Sequence, residues 1–235
     1  MFKNTGSEPI KKKADLTKER VYAIAMQMIR NRGFEATTMR AIAEEAGVAP
    51  SGIYYYFESK EALVHQYYQQ LHKEHLAAVG DFLATEQSFE RRLHYIVTTK
   101  IQTALPHKKI AVALFRVAAN PESPMSPFSE DSRALREEVM EVLREVVNGS
   151  QDKFHPDIGN LLPEYLWLYM MGVILFWIFD PSKEAQRTLA LIDRTVPLIS
   201  SLNQTIQSPL AAPFRKRIID LLKTFSLNSM SGEKQ

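Results

Sequence analysis

Phe34-Glu-Ala-Thr-Thr-Met-Arg-Ala-Ile-Ala-Glu-Glu-Ala-Gly-Val-Ala-Pro-Ser-Gly-Ile-Tyr-Tyr-Tyr-Phe-Glu-Ser-Lys60 is the stretch that decides the fold. Thr38 is suited to cap a helix over 39–46, with Ile42, Ala43 and Ala46 on its inner face. Gly47 accepts the left-handed backbone of a sharp turn, and Val48 plugs the corner. A short second helix over 50–57 carries Ile53 and Phe57 inward. Pro50 fits its first turn, where the missing N–H would be unpaired anyway. Ala43 is small, so the two helices can cross closely. The apolar pattern then fixes what points away: Arg40, Pro50, Ser51, Gly52, Tyr54 and Tyr55, flanked by Tyr56 and Lys60.

Outward from this pair, every segment reads as helix. Before it, Val21, Ile24, Ala25, Met28 and Ile29 recur at helical spacing, with Thr17 as a cap and Gly33 as the stop. After it, a long helix begins near Ser59, with Glu58 and Glu61 favouring its positive end, and can continue to about Gly80. Further helical patterns cover 89–105, 108–119, 130–148, 163–179, 183–202 and 214–227. Prolines at 106, 121, 156, 181, 209 and 213 punctuate the gaps, while Pro197 predicts a bend inside its helix. No alternating strand or solenoid-period repeat is seen. The fold class is all-α: a helix-turn-helix followed by a larger helical body.

Composition narrows the function. With 235 residues, 45% of them hydrophobic, the chain is long enough for a real core. The absence of cysteine excludes disulfides, Cys-ligated metals and thiol chemistry. Residues 1–60 hold ten Lys and Arg against seven Asp and Glu, whereas 61–235 hold nineteen against twenty. The net charge of +2 thus averages a mildly basic start and a slightly acidic body. A short helix with a polar outer face in that basic part fits the DNA major groove, leading with its N-terminal residues. Lys11–13 stand just ahead and read either as a solvated tail or as an arm steered onto phosphates. The longest strongly apolar charge-free run, 165–179, falls short of the roughly 20 residues a membrane span needs. The N-terminus lacks the apolar stretch of a signal peptide, so a soluble cytoplasmic protein is expected.

Residues 16–65 resemble the DNA-binding domain of the TetR family of bacterial transcriptional regulators. Thr37-Thr38-Met39-Arg40, Ile42-Ala43, Ala46-Gly47-Val48, Ile53-Tyr54-Tyr55-Tyr56-Phe57 and Ser59-Lys60-Glu61-Ala62-Leu63 fall in that family's order and spacing without a gap. The resemblance implies a basic arm at 1–15, the helix-turn-helix domain at 16–60, a ligand-binding and dimerising body at 61–205, and a C-terminal helix and tail at 206–235. It also implies that Thr38 and Arg40 touch double-stranded DNA, that Ala49, Pro50, Ser51 and Gly52 face base edges, and that Tyr54, Tyr55, Tyr56 and Lys60 hold phosphates or bases. Two positions depart from the family pattern. Ala49 stands where Ser is frequent, losing a cap worth roughly 1 kcal/mol. Ser51 stands where Gly is frequent, while Gly52 falls inside the helix at about 1 kcal/mol relative to Ala. So plain a helix tip leaves direct readout to Arg40, Ser51 and Tyr54, with thymine methyl contacts and DNA shape supplying the rest.

In the body, 161–179 is apolar on nearly every face and must be covered on all sides. The next helix carries a second apolar stripe. In TetR proteins these two helices build a four-helix dimer interface, here implicating Leu166, Met171, Ile174, Leu189, Ile192, Val196 and Ile199 in a twofold homodimer on a palindromic operator. A small-molecule effector cavity is implied as well, with His107, Leu114, Phe115, Tyr169, Met170, Val173, Phe176 and Trp177 as candidates; the bland reading is that these are ordinary core. His65, His72 and His75 share one face of the long helix, read as a solvated face rather than a metal site. No catalytic motif, cofactor site or metal site is expected. The readings are therefore a ligand-released dimeric repressor, a constitutive or nucleoid-associated DNA binder, or a helical interaction dimer with no DNA role.

Overall fold

The computed structural model describes the backbone of residues 7–226 and the side chains of residues 14–226. Among these residues there are helices and no strands: α1 (Ser7–Arg32), α2 (Met39–Glu45), α3 (Ile53–Tyr56), α4 (Lys60–Thr85), α5 (Phe89–Ala104), α6 (Lys108–Ala118), α7 (Arg133–Asn148), α8 (Pro156–Phe179), α9 (Gln186–Gln207) and α10 (Ala212–Thr224). Boundaries follow local chemistry. Ser59 accepts from the Ala62 N–H at 3.1 Å to start α4, and Ser88 accepts from Arg91 to start α5.

Two helices begin earlier than their patterns suggest. α1 already runs at Ser7, so Thr17 is interior rather than a cap, and residues 7–15 of the expected arm are helical in backbone. Pro9 stands in the first turn, where it breaks no bond. The Lys11–13 side chains and residues 1–6 lie outside the described residues. α8 starts with Pro156 at its first position, and Pro163 is carried inside the helix at the loss of one backbone bond. The result is 24 residues whose best window has mean hydropathy 1.6, long and apolar enough to cross a membrane by length and composition. The helix is thus longer than the charge-free run of 165–179, and the core helix of a soluble protein passes the same measure of length and composition. Pro197 likewise lies within an unbroken α9.

The chain divides into two compact units. The first comprises residues up to 70 together with 107–133, so α6 and the loop after it join the helix-turn-helix rather than the body. The physical reason is packing: α6 lies on α1, burying Ile110 and Leu114. Val21, Ala25, Met28, Ile29, Ile42, Ala43, Ile53 and Phe57 form the core of the reader, as their spacing requires.

The second unit comprises 71–106 and 134–235. There α9 packs along α5 and beside α8. α10 is fastened to the same helices by Ile158, Ile206 and Ile219, by the Tyr165 hydroxyl donating to Leu222 O at 2.6 Å, and by Arg215 donating to Ile206 O at 2.7 Å. Asp180 turns the chain from α8 into α9 by accepting from Ser182 N and from both the N–H and the hydroxyl of Thr188. Burial alone would raise its pKa; the hydrogen bonds from Thr188 and Ser182 outweigh that and hold it well below the usual carboxylate range.

Candidate nucleic-acid interface

α2 begins at Thr38, whose hydroxyl accepts from Ala41 N at 3.2 Å. Arg40, two residues on, projects into solvent from the exposed face. The turn closes as the sequence demands. Gly47 takes φ +62°, and Val48 N donates back to Ala43 O at 2.9 Å. Regular α-helix then resumes only at Ile53, later than the expected start at Pro50. Ahead of it the Ala49 carbonyl accepts from both Gly52 N at 2.8 Å and Ile53 N at 3.2 Å, a tight helical turn.

Gly52 is therefore the N-cap of α3 rather than an interior residue. Its backbone is nonetheless helical, at φ −75° and ψ −19°, so the entropic cost of fixing a glycine in that conformation remains. The close turn also explains the residue: a Cβ at Gly52 would lie 3.3 Å from the Ala49 carbonyl oxygen.

The outward face takes shape from these elements. Ala49, Pro50 and Ser51 are exposed at the tip. Tyr54 and Tyr55 are 55% and 79% exposed, large values for aromatic side chains. Tyr56 is half-buried and meets Tyr55 edge-on at 5.2 Å. Lys60 differs from its neighbours: its ammonium donates to Phe34 O at 2.7 Å and sits 4.0 Å above the Phe34 ring. It clamps the start of α4 to the beginning of the α1–α2 connection, with the remaining ammonium hydrogens available to another acceptor.

In the second unit the surface differs from the expected one. Leu166, Ile192 and Val196, assigned to a dimer face, are buried within the chain itself. Met171, Ile174, Leu189 and Ile199 are half-buried. The apolar side chains left open on α8 and α9 are instead Leu175, Phe176, Phe179, Leu198 and Leu202. The reason is phase: when a helix is apolar all round, its sequence does not say which stripe its own subunit covers.

The ligand candidates are divided. His107, Leu114 and Phe115 belong to the first unit and the other five to the second. Leu114 is core, and the His107 ring meets Tyr67 at 5.8 Å. Met170, Val173 and Trp177 are core, Phe176 is exposed, and the Tyr169 hydroxyl bonds Thr195 Oγ1 at 2.6 Å.

The histidine reading is also corrected. His65 is half-buried, but His72 and His75 are only 2% and 3% exposed. Burial lowers the His72 pKa to about 4 and that of His75 to about 3, with the Lys100 charge acting in the same direction. Their polar neighbours on α4 disguised an inward face. The step His72, His75, Val79, Leu83 was the legible signal, since all four are buried at one helical phase.

A family model described as bacterial regulatory proteins, tetR family, matches residues 21–67. One described as tetracyclin repressor-like, C-terminal domain, matches 92–224. The chain is 26% identical over 162 residues to the HTH-type transcriptional repressor KstR2 of Mycolicibacterium smegmatis, covering 67% of this chain and 75% of that protein. Two solved structures share its fold. The transcriptional regulator FadR of Bacillus subtilis, in complex with stearoyl-CoA, has a TM-score of 0.61 at 14% identity over 78% of this chain and 97% of that one. FadR of Thermus thermophilus, in complex with lauroyl-CoA, has a TM-score of 0.53 at 23% identity over 76% and 92%. With its helix-turn-helix and most of its helical body each matched in order, this chain belongs to the TetR family of bacterial transcriptional regulators.

Proposed function

We propose that the chain is a cytoplasmic, homodimeric repressor that grips a palindromic operator through α2 and α3 and is released by a small apolar or amphipathic ligand. The observation that carries the reading is the outward face of the helix-turn-helix. Its inner residues are fully buried, while Arg40, Ser51, Tyr54 and Tyr55 stand in solvent. Arg40, Ser51 and Tyr54 make no hydrogen bond among the described residues, so their polar groups are free for base edges and phosphates. Lys60, already holding Phe34 O, serves first to fix α4 and only secondarily to reach a phosphate.

Dimerisation is supported by α8, of whose most apolar window only a third is buried within the chain. A second copy, covering Leu175, Phe179, Leu198 and Leu202, accounts for that surface without a membrane. Ligand release is supported by the amphipathic ligands of the FadR structures, whose likeness is one of fold. Release requires that the ligand bind the DNA-incompetent state more tightly, since equal affinity for both states shifts nothing.

The test is selection of bound DNA from a random pool with the full chain, followed by titration of Arg40→Ala. The expected result is a palindrome with half-sites about one helical turn apart. Arg40→Ala should weaken binding by about 1–3 kcal/mol and relax the base preference at one position per half-site. Failure to enrich any sequence would favour a helical interaction dimer. Enrichment of a palindrome that no compound releases would favour a constitutive regulator.

A further inference from the structure

Within the second unit, α4 and α7 border a groove of about 600 Å³, a size typical of small-molecule sites. Its walls are partly apolar, from Leu76 and Val142. His72 also lines it, almost wholly buried, yet neither ring nitrogen has a hydrogen-bond partner. An imidazole shielded from water with both nitrogens unpaired is costly to keep. The nearest acceptor, Glu138 Oε2, stands 3.7 Å from Nε2, too far for a hydrogen bond.

The remaining lining is polar and mostly acidic: Glu138, Glu141 and Glu145, with Arg144 and Asn148 among them. Glu138 and Glu145 border the groove and make no side-chain hydrogen bond among the described residues. Glu141 is there too, but Arg144 already engages it, together with Glu137. The groove thus offers two carboxylates that make no side-chain hydrogen bond, Glu138 beside His72 and Glu145 facing the Arg92 charge, one neutral imidazole able to accept a hydrogen bond, and an apolar wall. Those are the parts that hold an ammonium group bearing a hydrocarbon. Among the described residues no group of three His, Asp or Glu could hold a metal ion, and the apolar wall of Leu76 and Val142 suits the hydrocarbon of an organic cation.

We infer that the α4–α7 groove binds a primary organic ammonium with a short apolar tail, its N–H directed at His72 and its charge placed between Glu138 and Glu145. The inference deepens the ligand-release reading, and it rests on that reading only for the consequence of binding. Two charges oppose it: Arg144, which lines the groove but is engaged by Glu137 and Glu141, and Lys100. Lys100 lies on the core face of α5, on the same phase as Leu93, Ile96 and Ala104, near enough to bear on His72. Burial lowers the Lys100 pKa to about 8, so its proton is the one more readily given up when a second cation arrives. Removing Lys100 should therefore strengthen the site, the reverse of what an anionic ligand would show.

The test is calorimetric titration of the full chain with n-octylammonium, n-octyltrimethylammonium and octanoate. The primary ammonium should bind saturably and more tightly than the trimethyl compound, which has no N–H to donate, and octanoate should not bind. Joint Glu138→Gln and Glu145→Gln substitution, at exposed positions, should weaken binding at least about tenfold, equivalent to about 1.4 kcal/mol. Lys100→Met should tighten it severalfold. Tighter binding of octanoate, or an affinity unmoved by the glutamate substitutions, would overturn the site. Ammonium binding that leaves operator DNA bound would keep the site and remove its role in release. Release by another ligand, with no ammonium binding, would do the reverse.

Discussion

A single arginine closes two helix ends in the second unit. Arg92 is almost wholly buried, and its guanidinium donates to Leu83 O and Glu86 O at the end of α4 and to Val146 O and Glu145 O at the end of α7. Carbonyls at a helix C-terminus have no partner of their own, and the helix dipole favours a cation there. Gly149 leaves the space: a Cβ at that residue would fall on the guanidinium. Arg92→Met keeps most of the side-chain volume but none of the donors. It should destabilise the fold by roughly 3–5 kcal/mol, because each buried carbonyl left without a partner costs about 1–3 kcal/mol. Chemical denaturation measures this, and a loss below about 1 kcal/mol would mean that water takes over the four acceptors. Residue type does not separate Arg92 from its exposed neighbour Arg91, which pairs with the largely covered Glu86 carboxylate. Only the phase of α5, with Phe89, Leu93 and Ile96 on one side, gives a hint.

Among the elements, α4 carries a pH response. His72 and His75 are held neutral by burial, with Lys100 on α5 acting in the same sense and Glu138 on α7 the nearest carboxylate to His72. The unfolded chain binds protons at about pH 6.5 and the folded chain resists them. The stability these residues contribute is thus complete above about pH 6.5 and is lost as pH falls through that value toward about 4 for His72 and about 3 for His75. Thermal unfolding between pH 7 and pH 4 should show a falling midpoint. Joint His72→Gln and His75→Gln substitution should flatten that fall, and an equal slope in the variant would assign the loss to carboxylates elsewhere. The same helix shows what patterns reveal and hide. Breakers and caps made the number and order of helices legible, and the reader's inner residues followed from spacing. Facing was legible only where polar and apolar residues alternate clearly. α4 is polar enough to hide its buried histidines, and α8 is apolar enough to hide which stripe stays open.

For the whole molecule, the open stripe decides assembly. Phe179 and Leu198, 70% and 67% exposed, lie on the two helices proposed to meet a second copy. Joint Phe179→Glu and Leu198→Glu substitution should leave each chain folded, since neither side chain is core, and shift the species in light scattering from dimer to monomer. Operator affinity should fall with it by about a hundredfold or more, because half-sites bound separately lose the gain of linkage. An unchanged mass would place the interface elsewhere. α4 imposes a different constraint. It runs unbroken from Lys60 to Thr85 and lends residues to both compact units, so the chain has no loop there at which a reader could be exchanged for another. One residue inserted near the division would add a step of about 100° within a continuous helix, which α4 could absorb only by a bulge or a break. A hybrid regulator built from this chain must be joined inside a helix rather than at a loop, and insertions at this seam should be less tolerated than insertions of the same size in the loop before α7.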